Sequence, residues 1–565
     1  MKRQNWIILF LVVLFPGGHA FGYSQLANSG KQGLNIYSID RILKLEEDEI
    51  DLCTATLILS RQWGTQKTLH RYRDKVDDMA LEILAKLKKQ RIPAKNYRAI
   101  GVINKYLFDE LNFRSVETAD DPEDLFLHSV IDKKRGYCLS LSVLYLSIGE
   151  RLGMPLYGVV VPGHFFVRYD DGHNQFNIET TSKGANAPDK HYLEKFKPPA
   201  SQDCLYMKNL SKVETLGCFF NNLGNSYSEV GDIDSALMEL ERAVRINPSL
   251  AEAHNNLGNI YLHKGRARDA ISEYYKALKI LDEDAKTHNN LGNAYSQNGQ
   301  YNEAVKEYMI ALDIEPDFID VYRNLANTYR KQGSFTRALR ELKIAAQLKP
   351  AEGETYRLMG DIYMEMDDYS TALTSYQKSL KLMPASANIH SNMGYCYLKN
   401  SKPHEAITQF RRAIGLEPSN VAAYFGLART YNRLEQTNNE INIYHQLLSI
   451  EPMTISALQN LGNAYMKKEM YEEAIEQYLT AVEIEPENPA LHYNLGVAYS
   501  NMELHEDAVD SYLRAIEFEP DNGAAYNGAA VSYYMLKEHD LARKYVALAE
   551  KLGFKVQKEL LKALK

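Results

Sequence analysis

Cysteine is scarce in this chain, five residues among 565, and none stands in a C-x-x-C pair or at metal-ligand spacing with histidine. That excludes a disulfide scaffold and the common zinc sites, and the odd count leaves at least one thiol free. No lysine or arginine block rises above the background, and the net charge is −8, which argues against nucleic acid as a partner. Glycine-rich phosphate loops and dinucleotide fingerprints are missing too, so no metal or cofactor is expected. Tryptophan is nearly absent, 2 residues, whereas tyrosine reaches 39. A chain of this length exceeds one compact core, so at least two structural units are expected.

Long apolar runs are also lacking, with one exception. Trp6 to Phe15 is uninterruptedly apolar, preceded by Lys2 and Arg3 and followed by Pro16-Gly17-Gly18-His19-Ala20. The run is about half as long as a spanning helix requires. A basic start, a short apolar stretch and small residues before a cut predict an export signal over residues 1–20, with an uncleaved anchor as the alternative. The expected location is periplasmic or extracellular, with no membrane span after cleavage.

The tyrosines follow a period. Pro248, Pro316, Pro350, Pro384, Pro418, Pro452, Pro486 and Pro520 share one 34-residue frame, and Asp282 takes the proline's place once. Counted from Gly217, position 11 is tyrosine in all ten repeats, from Tyr227 to Tyr533. Position 8 is always Gly or Ala, position 20 is Ala in nine of ten, and an aromatic often stands at position 24, as in Tyr274, Tyr308, Phe410 and Tyr478. Small residues at 8 and 20 let two antiparallel helices approach, large side chains fill the gaps, and the proline ends the second helix. Residues 217–556 are thereby expected to form ten helix pairs. Repeat seven, residues 421–454, departs with Glu440 at position 20 and Leu447 at 27, which predicts a change of curvature or a weak joint. Residues 551–565, overlapping the last repeat, form an expected capping helix.

Position 6, on the first helix of each repeat, is asparagine in seven of ten: Asn222, Asn256, Asn290, Asn324, Asn392, Asn460 and Asn494. A carboxamide both donates to and accepts from a peptide backbone. A row of them is a candidate grip for an extended chain, against the plainer reading that asparagine is common at an exposed position.

Ahead of the repeats the pattern differs. Segments 48–62, 68–89, 95–111, 122–134 and 139–152 show helical spacing, and then Tyr157–Val161, His164–Tyr169 and Asn174–Glu179 alternate like strands. Helices followed by an antiparallel sheet indicate an α+β domain. A two-residue turn centred on Asp171-Gly172 would set His164 directly opposite Glu179, with Cβ atoms about 5 Å apart. Cys138 opens the helix running to Leu152, where unpaired amides and the helix dipole favour a thiolate. Cys53, on the first helix, is expected in the core, with a bond to Cys204 as the alternative.

Three resemblances extend these readings. The repeat pattern is similar to the tetratricopeptide consensus, which implies a superhelical all-α solenoid that holds proteins or extended peptides in its concave groove. The N-L-G and N-L-A triplets of the first four repeats look similar to the superhelix of the O-linked N-acetylglucosamine transferase, where an asparagine ladder holds the substrate polypeptide. The stretch 121–169, including Arg135-Gly136-Tyr137-Cys138 and Gly163-His164-Phe165-Phe166-Val167, resembles the SirB1 N-terminal family of transglutaminase-like domains, and more loosely so does 45–200. That resemblance implies a papain/transglutaminase-like α+β fold joined through a linker, 201–216, to the repeats. It further implies a triad in which Cys138 is the nucleophile, His164 its base and then acid, and Glu179 the group that orients the imidazole. Many members of that family lack the cysteine, which this chain keeps, and many have Asp where it has Glu179. Two functions remain open at this point: an exported acyl-transfer enzyme (protease, amidase or transamidase) served by a peptide-binding solenoid, or a non-catalytic tetratricopeptide scaffold with a vestigial site.

Overall fold

The computed structural model describes residues 24–60, 69–116, 122–199 and 204–564, so the expected export signal lies outside the described residues. Two compact units divide the chain, the first ending at Asn324 and the second beginning at Leu325.

The first unit opens with a short helix α1 (Ile39–Ile42), followed by α2 (Leu52–Leu59), α3 (Leu69–Gln90) and α4 (Ala99–Asn104), which continues as a wider π turn through Lys105–Glu110. Then come α5 (Leu127–Lys133) and α6 (Cys138–Leu152), with the two-residue strands β1 (Arg114–Ser115) and β2 (Arg135–Gly136) paired in parallel just before α6. An antiparallel sheet follows, β3 (Leu156–Val161), β4 (His164–Asp170) and β5 (Gln175–Ile178), in the order β3-β4-β5, and then α7 (Asp189–Phe196). Helix α6 is the centre of this domain. Thirteen of its fifteen residues are buried, with α2, α3 and α5 on one side and β3 and β4 on the other. A helix covered on nearly every side has no solvated stripe, which is why Leu, Val and Ile recur around it with small serines and a glycine between them.

One charge is buried with it. Arg151, near the end of α6, has no exposed side-chain surface and binds Asp77 of α3 and Asp51, the residue capping α2. Burial opposes its charge, but the two carboxylates more than offset that and hold its pKa up. The far end of the Cys138 helix is thus clamped to both neighbouring helices.

Residues 204–210 do not form a free linker. The amides of Met207 and Leu210 donate to the carbonyls of Val160 and Gly158, so the segment runs along the edge of β3. Helix α8 (Lys212–Glu229) then starts inside a capping box, the Ser211 hydroxyl taking the Glu214 amide and the Glu214 carboxylate taking the Ser211 amide. It is the first helix of repeat one, five residues ahead of the frame counted from Gly217. Lys212 pairs with Glu150 of α6 at 2.6 Å, and Lys31 binds the same carboxylate. After α8 come α9 (Ile233–Ile246), α10 (Ala251–His263), α11 (Ala267–Ile280), α12 (Ala285–Gln297) and α13 (Tyr301–Ile314).

The repeat chemistry is visible in each pair. A methyl group added at Gly258 would lie 2.6 Å from the ring of Tyr274, at Gly292 2.6 Å from Tyr308, and at Gly462 2.4 Å from Tyr478. In these repeats position 8 is glycine because the aromatic at position 24 occupies the place of its Cβ. The same tyrosines are anchored at the tip: Tyr274 donates to Asn259 and Tyr308 to Asn293, each at 2.7 Å.

In the second unit the pairs continue in the same rhythm. Repeat seven keeps regular helices, Val421–Arg433 and Thr437–Ile450, but they lie less closely together than the helices of the neighbouring repeats. Leu447 is buried in the space that alanine leaves elsewhere, and the Glu440 carboxylate is buried and satisfied by the Asn432 amide. The asparagine row is interrupted here by Leu358, Gly426 and Gly528; at the two glycines a Cβ would meet the rings of Phe410 at 2.3 Å and Tyr512 at 2.5 Å. A last helix, Lys558–Ala563, buries Val556, Leu560 and Leu564 against Ala530, Ala542, Val546 and Ala549.

Candidate active site

Cys138 is the first residue of α6 because of what precedes it. Lys134 ends α5 in the left-handed conformation, φ 56°, and Tyr137 is extended. The Tyr137 amide donates to Ser140 Oγ at 2.9 Å, and that hydroxyl donates to the Asp124 carbonyl at 2.8 Å. Gly136 is required beside them, since a Cβ there would sit 2.6 Å from Ser140 Oγ. The thiol is half-exposed, whereas Cys53, Cys204, Cys218 and Cys396 are buried, and none of the five is in a disulfide. The alternative Cys53–Cys204 bond is therefore not formed.

His164 is the first residue of β4. It follows the tight turn Pro162-Gly163, in which Val161 faces His164 and Gly163 has φ 71°. Proline then a left-handed glycine is the residue combination of a type II turn. The opposite end of β4 corrects the sequence-based register. Asp170 pairs with Gln175 and Val167 with Ile178, so a four-residue loop replaces the expected two-residue turn and the ladder is displaced by two residues. Because side chains alternate with a period of two, this displacement keeps the face. Glu179 points to the same side as His164 but stands diagonal to it rather than opposite. The longer arm of glutamate spans the diagonal, and His164 Nε2 donates to Glu179 Oε2 at 2.7 Å.

The carboxylate is held from three further directions. Thr181 donates its amide, at 3.2 Å, and its hydroxyl to Oε1, and the Tyr192 hydroxyl donates to Oε2 at 3.2 Å. Burial works against its charge, yet the bonds from His164 and Thr181 keep its pKa below the usual carboxylate value. The imidazole lies flat on Phe196, ring centres 5.1 Å apart and planes 1° off parallel, with Tyr192 beyond. Burial disfavours the imidazolium as well, but hydrogen bonds to Cys138 and Glu179 and their negative charges push the His164 pKa up to about 9. With Nε2 given to the carboxylate, Nδ1 is the nitrogen left to face the thiol. The three residues are brought into one chain of contacts, Cys138–His164–Glu179. Thr180 ties its two ends together, since its hydroxyl reaches the Cys138 carbonyl at 3.4 Å and Ser142 Oγ at 3.0 Å.

A cleft of about 300 Å³ opens at this site. One wall carries Cys138, Leu139, Gly163 and His164. The other carries Asn221, Asn222 and Asn225 of α8 with Glu252, Asn255 and Asn256 of α10. The anticipated asparagines of repeats one and two therefore lie at the candidate nucleophile. The row also has a structural duty that its sequence did not reveal. Asn256 donates to Asn221 at 3.0 Å, Asn290 to Asn255 at 3.2 Å and Asn324 to Asn289 at 2.9 Å, each linking one repeat to the one before. In the second unit Asn392 donates to Asp361 at 3.1 Å, and Asn460 and Asn494 are half-buried. Tyr192, Phe196, Thr181, Glu252 and the asparagines at positions 5 and 9 were not foreseen. The aromatic pair at i, i+4 in α7 and the second threonine of I-E-T-T were the available signals.

A cysteine at a helix start, a histidine on a strand and an acid after the next strand, in an α+β domain followed by paired helices, define the class of transglutaminase-like folds joined to helical repeats. Comparison with known proteins agrees. Residues 70–211 match the transglutaminase-like superfamily, and the tetratricopeptide repeat matches 224–265, 258–299, 292–333, 360–401 and 462–502. This chain carries a transglutaminase-like domain followed by tetratricopeptide repeats. A UPF0162 protein of Xylella fastidiosa is 28% identical over 172 residues, 27% of this chain and 58% of that protein. Another, from Pseudomonas aeruginosa, is 28% identical over 135 residues, 24% of this chain and 50% of its own length. Mouse F-box only protein 21 is 33% identical over 76 residues, 13% of this chain and 12% of that protein. The chain thus spans little more than half the length of the UPF0162 relatives. Among solved structures, the pilF protein of Pseudomonas aeruginosa is 20% identical with a TM-score of 0.34, covering 38% of this chain and 99% of that one. Yeast Tom70 is 15% identical with a TM-score of 0.32, covering 62% and 87%. No described helix is long and apolar enough to cross a membrane.

Proposed function

We propose that this protein is a cysteine acyl-transfer enzyme acting on polypeptide. The observation that carries the reading is the continuous contact Cys138–His164–Glu179, with a 2.7 Å hydrogen bond at its acid end. In the reaction, Cys138 Sγ attacks an amide or ester carbonyl and a thioester forms as the C–N or C–O bond breaks. The departing amine or alcohol takes the proton held by His164. Water or a second amine then attacks the thioester, giving up a proton to His164, and the thiolate is released. The Cys138 amide, in the first turn of its helix where amides have no intrahelical acceptor, is the donor we assign to the developing oxyanion. The repeats bind the protein or peptide that carries the carbonyl. The basic, apolar and small-residue succession over 1–20 further supports an exported enzyme, to be checked by the N-terminal mass of the protein recovered outside the cytoplasm.

Alkylation of the free thiols by iodoacetamide near neutral pH tests the reading. Cys138 should react well ahead of the other four cysteines, and His164→Ala should slow it about a hundredfold, the lower end of what a positioned base contributes. Equal labelling of every accessible thiol, indifferent to the histidine, would instead indicate a scaffold.

A further inference from the structure

The cleft at Cys138 has a second wall that no part of the transglutaminase-like domain supplies. It is built from α8 and α10, and its polar groups are all carboxamides apart from Glu252. Glu252 is already engaged in holding the site together, since its two oxygens accept from the Gly163 amide and the Tyr206 hydroxyl. The asparagines are partly committed, and in an ordered way. Asn225 gives its amide to Glu229, and Asn256 gives its amide to Asn221, so both retain the carbonyl. Asn255 spends its carbonyl on Asn290 and Thr287, and Asn222 receives Asn221 on its own, so both retain the NH2 group. Among the described residues, two carbonyls and two NH2 groups without another bond therefore face the cleft, none with a formal charge.

An extended main chain presents the complementary set, N–H and C=O groups in alternation. Folded segments do not, since a helix consumes these groups internally. Size gives the same answer. A helix with its side chains is about 10–12 Å across, more than a cleft of about 300 Å³ admits.

We propose that the first two repeats complete the active site: Asn222, Asn225, Asn255 and Asn256 form a subsite that binds the main chain of an extended polypeptide beside its reacting carbonyl. This inference rests on the acyl-transfer reading. It goes beyond that reading in making the repeats part of the site itself, so that substrates are selected for being unfolded rather than for side-chain charge.

Two probes applied to the full-length protein test it. Iodoacetamide reports the reactivity of Cys138 alone. A capped alanine-glycine hexapeptide bearing a C-terminal chloromethyl ketone reports reactivity plus the subsite. The measured quantity is the ratio of the two second-order rate constants at Cys138, peptide over iodoacetamide. In Asn225→Ala/Asn256→Ala this ratio should fall about tenfold, the effect of one or two lost main-chain hydrogen bonds, with a raised saturation constant for the peptide probe. Should Asn256→Ala disturb the packing of the repeats, Asn225→Ala carries the test alone, because the Asn225 side chain is exposed and, among the described residues, hydrogen-bonds to Glu229 of its own helix rather than to another repeat. A ratio unchanged in both variants, while His164→Ala still slows iodoacetamide, would overturn the subsite and leave the cysteine chemistry standing. Indifference of both probes to His164→Ala would overturn the acyl-transfer reading, and the subsite with it.

Discussion

The carboxylate of Glu252, in the second repeat, accepts a hydrogen bond at 3.0 Å from the backbone amide of Gly163, the residue immediately before His164. The turn that aims the candidate base is thus pinned by a helix of the repeats. Burial raises the pKa of Glu252, and the bonds from Tyr206 and Gly163 work the other way. Replacing Glu252 by alanine leaves both donors without that acceptor; the exposed Gly163 amide can turn to water, but the buried Tyr206 hydroxyl cannot, at about 1–3 kcal/mol. Thermal denaturation should show that loss, and iodoacetamide alkylation of Cys138 should slow with it, while Glu252→Gln recovers most of the stability. Alkylation at the wild-type rate in the alanine variant would mean that the turn holds its place without the repeats.

Glu179 reaches His164 across a diagonal, so length matters more than charge alone. Glu179→Asp keeps the carboxylate but shortens the arm by one methylene, and should reduce the Cys138 alkylation rate about as much as Glu179→Gln, on the order of tenfold, a part of the roughly hundredfold that the positioned base contributes. Near-wild-type rates for the aspartate variant would show that the backbone closes the gap.

The pH dependence has a definite sign. The folded-state pKa of His164, about 9, lies above the unfolded value of 6.5. A raised cationic group stabilises the fold fully below its unfolded pKa, and that contribution is lost as pH rises through the folded one. The stability difference between wild type and His164→Ala should therefore be largest below pH 6.5 and shrink towards pH 9, as measured by denaturant unfolding at a series of pH values. A difference that grows with pH would contradict an imidazolium in the native site.

How much of this was legible in the sequence differs by element. Period 34 is a local signal repeated ten times, and it located the helix pairs, the tyrosines and the small positions without any tertiary knowledge. The hairpin register failed for a local reason as well. The Asp171 side chain bonds the amides of His173 and Asn174 and the Tyr169 hydroxyl, and its own amide donates to the Asn174 carbonyl, so the reversal centres on Gly172-His173, one residue later than expected. A side chain that caps its own loop competes with the turn that its dipeptide prefers. The face survived only because the error was an even number of residues. The wall of asparagines opposite Cys138 was beyond reach, since it depends on how the 204–210 segment docks α8 on β3, and no periodicity encodes that. The row itself was found, but its bonds between repeats were not, because they join position 6 of one repeat to position 5 of another.

The same close fit of the repeats yields a double substitution whose outcome is not the sum of its parts. A Cβ at position 462 would lie 2.4 Å from the ring of Tyr478, so Gly462→Ala forces the ring to move, at about 1–3 kcal/mol. Tyr478→Leu alone opens a cavity and leaves Asn463 without its 2.7 Å hydrogen bond, at roughly 2–4 kcal/mol. Two repeats already carry the paired solution, Ala326 with Leu342 and Ala530 with Val546. In the double variant the methyl group fills part of the space that the ring vacates, so the combined cost should be lower than the sum by about 1 kcal/mol or more. Hydrogen exchange over residues 455–484 measures the opening free energy of this one repeat without requiring the whole array to unfold as a unit. Strict additivity would mean that the ring and the glycine are not in conflict, and that position 8 is small for the sake of helix approach alone.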